Sequence, residues 1–322
     1  MKIFPLNLPS LSALELLEYE KLATDYSRSC LHLQHPQEIS NTTSIAIAAT
    51  DNDKPVGLLL ASFIPSLRTT EVHSIFVEEP FRHSGIGTQL VIHLEQELHR
   101  QKCKNVHFHY PQEEVCTPYL EKILKKQNWS GPRYLKVSLR FLESTFDPPW
   151  LRIEYKYPPH FKEFLWKKLL KEDRYSIQNL ENQGAIPPFV SPFNDEKTIE
   201  LENSLGLRYK GEMVGWMITH RTSPDTIRYT SLFIIKKFEK IGPAIKLLSD
   251  SILLQKQAKV TWGVFELNFE QSPMSWIKFV KRRLIPYADV VKYTRKCWKE
   301  LKQESGARSQ ESGDASRSTN FK

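Results

Sequence analysis

Between Phe81 and Thr88 the sequence reads Phe-Arg-His-Ser-Gly-Ile-Gly-Thr, running from the end of a predicted strand into the start of a predicted amphipathic helix. The first amides of a helix have no carbonyl partner and carry the positive end of the helix dipole. Gly85 and Gly87 have no Cβ to hold a phosphate off the main chain, and Arg82 adds a permanent cation whose fork of donors suits phosphate oxygens. Backbone anion binding is therefore the chemistry this stretch could do. A Gly-x-Gly at a helix start also occurs in plain tight turns, so the spacing alone leaves both readings open. There is no GxGxxG dinucleotide fingerprint, and the Gly-Lys-Ser/Thr ending of a Walker A loop is missing.

The elements that must position this loop follow from periodicity. Leu11, Leu14, Leu17, Leu22 and Tyr26 predict a helix from Leu11 to Arg28 behind an N-cap at Ser10. Short apolar runs at Ser44–Ala49, Val56–Ile64 and Val72–Val77, separated by turn residues, predict an antiparallel meander of three strands. Leu90, Val91, Leu94 and Leu98 share one face of a helix over Gly87–Arg100; a strand at Val106–Tyr110, a helix at Pro118–Lys126 and a strand at Tyr134–Phe141 complete the order. A mixed α/β fold is expected, with a mostly antiparallel sheet flanked by helices.

In this setting Arg82-x-x-Gly85-x-Gly87 resembles motif A of the GNAT superfamily of acetyltransferases: Arg or Gln, two residues, Gly, one residue, Gly or Ala, between a strand and a helix. The resemblance implies that Arg82, His83, Ser84, Gly85, Ile86, Gly87 and Thr88 cradle the pyrophosphate of acetyl-CoA. It implies too that the main chain of Ile75, Phe76 and Val77 pairs with the pantetheine arm, and that no metal is needed. In the histone-acetylating branch a Glu eleven residues before the loop Arg/Gln is the general base, and Glu71 has that spacing to Arg82. Period-two alternation puts His73, Ile75 and Val77 on the face of Glu71, which makes His73 a substitute base; both also read as a solvent-facing strand end and an ordinary packed imidazole. The family's general acid is a Tyr early in the next helix, written Phe-Tyr-Glu-Lys. Here Pro118-Tyr119-Leu120-Glu121-Lys122 displaces the Tyr by one position, and a one-residue shift turns a side chain by ~100°.

At an offset of 157 the chain matches itself: His73–Val77 falls on Thr230–Ile234, Phe81 on Phe238, Gly85 on Gly242 and Val106–Tyr110 on Gly263–Leu267. Two GNAT-like domains are expected, at 1–145 and 146–301, with a disordered tail over 302–322. In the second copy Arg82 becomes Glu239, Ile86 becomes Pro243, Gly87 becomes Ala244 and Glu71 becomes Arg228. A carboxylate repels pyrophosphate and proline removes a donor, so that copy reads as degenerate.

The function expected is transfer of an acyl group from acetyl-CoA to an amine by direct attack in a ternary complex. The alternative is a CoA-binding or interaction protein that kept the fold and lost turnover. The acceptor, small molecule or protein, is not encoded in the motif. Seven of the chain's eight net positive charges fall between Trp276 and Lys299. Aromatics among those charges could hold nucleic acid, but Trp276, Phe279, Val280 and Leu284 are spaced as a buried helix face with a solvated basic side, the stronger reading. Four cysteines without metal spacing suggest a reducing, cytoplasmic setting. No run is long and apolar enough for a membrane span, and Pro5, Pro9 and Glu15 break any signal-peptide core.

Overall fold

The computed structural model describes residues 1–24, 27–32 and 42–302. In chain order the elements are β1 (Lys2–Pro5), α1 (Ala13–Glu20), α2 (Arg28–Leu31), β2 (Thr43–Asp51), β3 (Lys54–Ile64), β4 (Thr69–Val77), α3 (Ile86–Arg100), β5 (Asn105–Pro111), α4 (Thr117–Lys126) and β6 (Ser130–Leu142). There follow β7 (Phe161–Leu165), α5 (Lys171–Asn182), β8 (Leu205–Tyr209), β9 (Glu212–Ser223), β10 (Thr226–Ile234), α6 (Pro243–Gln257), β11 (Trp262–Asn268), α7 (Met274–Arg283) and β12 (Val290–Glu300). The expected mixed α/β class with a mostly antiparallel sheet is what forms. The expected tail lies outside the described residues beyond Lys302.

Contacts divide the chain into two units: Met1–His109, Pro118–Pro132 and Lys296 onward in one, Tyr110–Thr117 and Arg133–Arg295 in the other. In the first, strands run in the order β1-β2-β3-β4-β5, antiparallel up to β4 and parallel between β4 and β5. Asn52 and Asp53, both at positive φ, make the two-residue turn between β2 and β3. One sheet face packs Ala46, Ala48, Leu58 and Leu60 against Tyr19, Leu22, Ala23 and Leu31. The other receives α3, whose Ile86, Leu90, Val91, Leu94 and Leu98 are buried. Gly57 lets the first turn of α3 come down onto the sheet, since a Cβ there would stand 3.3 Å from both Ala49 and Ile86.

In the second unit the order is β6-β11-β10-β9-β8-β7, with β10 and β11 parallel and the other neighbours antiparallel. Its core gathers Phe141, Trp150, Ile227, Tyr229, Leu247, Ile252, Phe265 and Val280. Trp276 and Phe279 pack against that core while Lys278, Lys281, Arg282 and Arg283 are exposed, so α7 is an amphipathic helix with a solvated basic side.

The repeat is structural. At an offset of 157, β4, α3, β5 and α4 fall end for end on β10, α6, β11 and α7. The four-residue parallel pairing recurs, Thr69–Val72 with Asn105–Phe108 and Thr226–Tyr229 with Trp262–Phe265. Both long helices end in the same way: Lys102 and Lys259 adopt positive φ, and the next amides, of Cys103 and Val260, reach back to Leu98 and Gln255.

Two expectations are corrected and one element is added. The first helix is shorter than Leu11–Arg28, because Thr24 and Ser27 exchange side-chain and backbone hydrogen bonds that compete with helical ones. Its N-cap is Ser12, held in a reciprocal capping box with Glu15, while Ser10 is engaged with the Asn7 carbonyl. The edge strand β1 went unread because it is four residues long and ends in proline, which an edge tolerates.

In the first unit Glu95 joins three segments: its carboxylate accepts from the Trp129 indole at 2.7 Å and pairs with Lys299 at 2.7 Å, and Lys299 also donates to the Gln127 carbonyl. Glu95→Ala is expected to lower stability by about 2 kcal/mol, because it strands a half-buried ammonium and an indole donor. Urea denaturation measures this, and an unchanged midpoint would remove Glu95 from the set of residues that hold the unit together.

Candidate active site

The loop after β4 enters α3 through two left-handed residues, His83 (φ 63) and Gly85 (φ 88), with Gly85 at the N-cap. Among the described residues, no carbonyl or side chain accepts from the amides of His83 through Thr88. The nearest backbone bonds are those of Phe81 and Arg82 before the loop and of Gln89 after it. A Cβ on Gly85 would meet nothing within 4 Å, so the main chain is open to solvent there. A depression of about 470 Å³ lies beside it, bounded by Met1, Ile3, Ser84, Gly85, Thr88 and Gln89. Gly87 also serves packing, since a Cβ would come within 3.0 Å of Ile123 and its absence lets α4 sit on the start of α3. The Arg82 side chain turns back, its Nε donating to the Val77 carbonyl at 3.0 Å and its guanidinium lying 5.9 Å from the Phe76 ring centroid.

Parallel pairing between β4 and β5 stops at Val72 and Phe108, so the strands fork and the β5-facing edge of Ile75–Val77 carries no ladder. On the other side of β4, Leu60 pairs with Ser74 and Ala61 with Val72, which leaves His73 as the extra residue of a β-bulge. The bulge corrects the period-two reading. Glu71 and His73 face Ser62, His73 Nε2 lying 2.7 Å from its hydroxyl, whereas Ile75 points to the opposite face and approaches Gly87 on α3.

Glu71 occupies the pairing row below the fork, opposite His107, and its carboxylate accepts from His109 Nδ1 at 3.1 Å. That hydrogen bond is the largest cause holding the Glu71 carboxyl below the usual glutamate range; partial burial opposes it, and the charges of His109, His73 and His107 assist. The site is thus a carboxylate among three imidazoles, with Ser62 and the buried Cys30 thiol 3.8 Å from that hydroxyl behind it. Among the described residues no group of His, Cys, Asp or Glu is arranged to hold a metal ion. Tyr119, over half exposed, stands edge-on to His83 with ring centroids 5.0 Å apart, beside the loop. His107 and His109 escaped the sequence reading. Their signal was present as two histidines two residues apart on a predicted strand, but nothing in one sequence paired that strand with Glu71.

The second unit keeps the backbone and changes the side chains. Gly242 has φ 87 at the N-cap of α6, and the bulge recurs between Tyr229 and Ser231, at Thr230. Arg228 and Glu266 stand at the positions of Glu71 and His109. The hydroxyl and imidazole exchange places, His220 Nδ1 lying 2.8 Å from Thr230 Oγ1, and burial holds His220 below the usual histidine value.

Residues 8–115 match the family model described as Acetyltransferase (GNAT) family. A tandem GNAT protein from the clavulanic acid biosynthesis pathway superposes with a TM-score of 0.54 at 11% identity, covering 93% of this chain and 98% of that one. Residues 8–115 therefore carry a GNAT-family domain, and the chain as a whole has the fold of a tandem GNAT protein. A GCN5-related N-acetyltransferase from Sphaerobacter thermophilus is similar over 93% of this chain and 95% of its own, with a TM-score of 0.52 and 14% identity. The glucosamine N-acetyltransferase region of a fungal multi-domain β-N-acetylglucosaminidase gives 0.56 at 11% identity over 92% of this chain and 38% of that one. At such identities the likeness is one of fold. No curated protein matches the sequence at a significant level. No described helix is long and apolar enough to cross a membrane.

Because the Glu71 carboxyl is held below its ordinary value, the stability it contributes is complete above ~4.3 and is lost as the pH falls through the lowered value. Glu71→Gln is therefore expected to flatten that part of the acid limb of a stability curve. Wild-type and variant curves that stay parallel below pH ~4.3 would show that the pairing does not persist in solution.

Proposed function

We propose that this protein is an acetyl-CoA-dependent N-acyltransferase whose first copy, residues 1–145, carries the reaction and whose second copy, 146–301, serves as a degenerate framing domain. The observation that carries the reading is the run of amides from His83 to Thr88 without acceptors, opening at Gly85 where no Cβ stands in the way. Converging main-chain donors at a helix N-terminus suit a diphosphate. The unladdered edge of Ile75–Val77 suits an extended pantetheine arm, and the Arg82 side chain occupies one carbonyl of that edge, leaving the cradle itself to main-chain amides. In the second copy Pro243 lacks an amide and Glu239 replaces Arg82, which argues against a second cradle.

Acetyl-CoA supplies an acyl carbonyl activated as a thioester. The chain's own residues orient the two reactants and move protons: the acceptor nitrogen forms a bond to the carbonyl carbon, the carbon–sulfur bond breaks, and the nitrogen gives up a proton to Glu71, His73 or a water. Tyr119 is the candidate for protonating the departing thiolate. The acceptor is an amine, on a small molecule or a protein, and no step asks for a metal. Four cysteines without disulfides fit a cytoplasmic setting. A second reading, cofactor binding without turnover, draws on the position of Tyr119 against His83.

Calorimetry and thiol release test the proposal together. Asn and Asp tolerate the left-handed conformation of position 85, so Gly85→Asn isolates bulk and Gly85→Asp adds charge before the amides. Gly85→Asp is expected to weaken acetyl-CoA binding at least ~10-fold more than Gly85→Asn, about 1.4 kcal/mol. Equal affinities would move the cofactor elsewhere. Binding without thiol release in the presence of amines would leave only the second reading.

A further inference from the structure

Resting on the acyltransfer reading of the same site, we infer that His109, oriented by Glu71, is the group that takes the proton from the acceptor amine. The geometry begins at the fork. Phe108 is the last residue of β5 paired with β4, so His109 is the first residue past the point where the strands part, and its ring is partly exposed there. Its Nδ1 donates to Glu71 Oε1 at 3.1 Å. A carboxylate accepting from Nδ1 fixes the neutral tautomer that leaves a lone pair on Nε2, as in other imidazole–carboxylate pairs. That Nε2 is shut off from solvent and has no hydrogen-bond partner among the described residues. Buried polar atoms without a partner are uncommon and cost about 1–3 kcal/mol. The lone pair is thus unspent beside the fork, and the groups that cover it must move aside for the acceptor amine to reach it.

The other candidates are placed less well. His73 has its Nε2 engaged with Ser62 at 2.7 Å. Glu71 is held below the ordinary glutamate range by its bond to His109, and a carboxyl that is a stronger acid is a weaker base toward an amine. The same carboxylate is well placed to stabilise the imidazolium that forms when Nε2 is protonated. Glu71 and His73 come from β4 and His107 from His109's own strand, its ring centroid 6.4 Å away, and β12, the neighbour of β5 on its other side, carries Lys296. In the second copy the two positions hold Arg228 and Glu266, so the pair is absent where the cradle is also impaired. The step balances: the nitrogen lone pair forms the new N–C bond, the C–S bonding pair leaves on sulfur, Nε2 takes the amine proton, and the thiolate takes a proton from its own donor. Glu71 acts here as a positioning residue.

The test uses the full chain with acetyl-CoA and four amine probes: spermidine, kanamycin, a lysine-containing peptide and a peptide with a free N-terminus. His109→Gln is expected to lower kcat at least ~100-fold with little change in KM for acetyl-CoA, and to remove the ascending limb of the kcat/KM profile against pH. Glu71→Gln should lower kcat by a smaller factor, because the imidazolium that forms loses its carboxylate. Nitrogen NMR of the wild-type chain gives a readout independent of activity and of how the variants fold: His109 should carry its neutral-state proton on Nδ1 and lose that preference in Glu71→Gln. A His109→Gln enzyme with wild-type kcat and an intact limb, or a wild-type His109 protonated on Nε2 alone, overturns the inference while acyl transfer stands. A wild-type chain that releases no thiol with any probe overturns acyl transfer, and this inference with it.

Discussion

Only four residue pairs, Thr69–Val72 with Asn105–Phe108, hold β4 beside β5, and the candidate site depends on the pairing stopping there. Had the ladder continued, the amides and carbonyls of Ile75–Val77 would be spent on β5, and nothing extended could bind along that edge. The fork places Glu71 in the row below it and His73 and His109 on its two arms. The bulge at His73 then turns the remainder of β4 so that Ile75 meets Gly87 of α3. Strand separation and helix entry are thereby one arrangement: the loop that leaves the diverging strand delivers the open amides of α3 to the end of the same cleft.

The duplication separates what the scaffold needs from what chemistry needs. Both copies keep the four-pair parallel ladder, the bulge on the strand before the loop, the left-handed glycine at the helix start and the left-handed lysine at its end. Those are backbone devices, fixed by sterics and hydrogen bonding. The side chains around the fork are exchanged: Glu71 for Arg228, His109 for Glu266, Ser62 for His220, His73 for Thr230. One fold thus carries opposite charge at its centre in the two copies.

Much of this was legible in the sequence because it rests on local periodicity and steric rules. The strand before the loop, α3 with its Leu90–Leu98 stripe and the 157-residue repeat all emerge within a few residues of where the structure has them. The bulge was not legible, because an extra residue in one strand shows only against its neighbour's register, and so the face shared by Glu71 and His73 was wrongly extended to Ile75. His109 was missed for the same reason: its meaning lies in a bond to Glu71, 38 residues away. Arg82 reads in the sequence as a cation and donor fork for phosphate, whereas in the structure its Nε is engaged with Val77 and the open amides of the loop stand without it. Gly87, read in the sequence as room for a phosphate, also makes room for Ile123.

Backbone amide chemical shifts during a titration with coenzyme A address the cradle most directly, because each donor reports separately. Large shifts at Ser84, Gly85, Ile86, Gly87 and Thr88, with smaller ones along Ile75–Val77 and none at Glu239–Ile245, are the result expected of a diphosphate held by those amides. Shifts centred on Glu239–Ile245, or a loop that stays unmoved while coenzyme A binds, would contradict it.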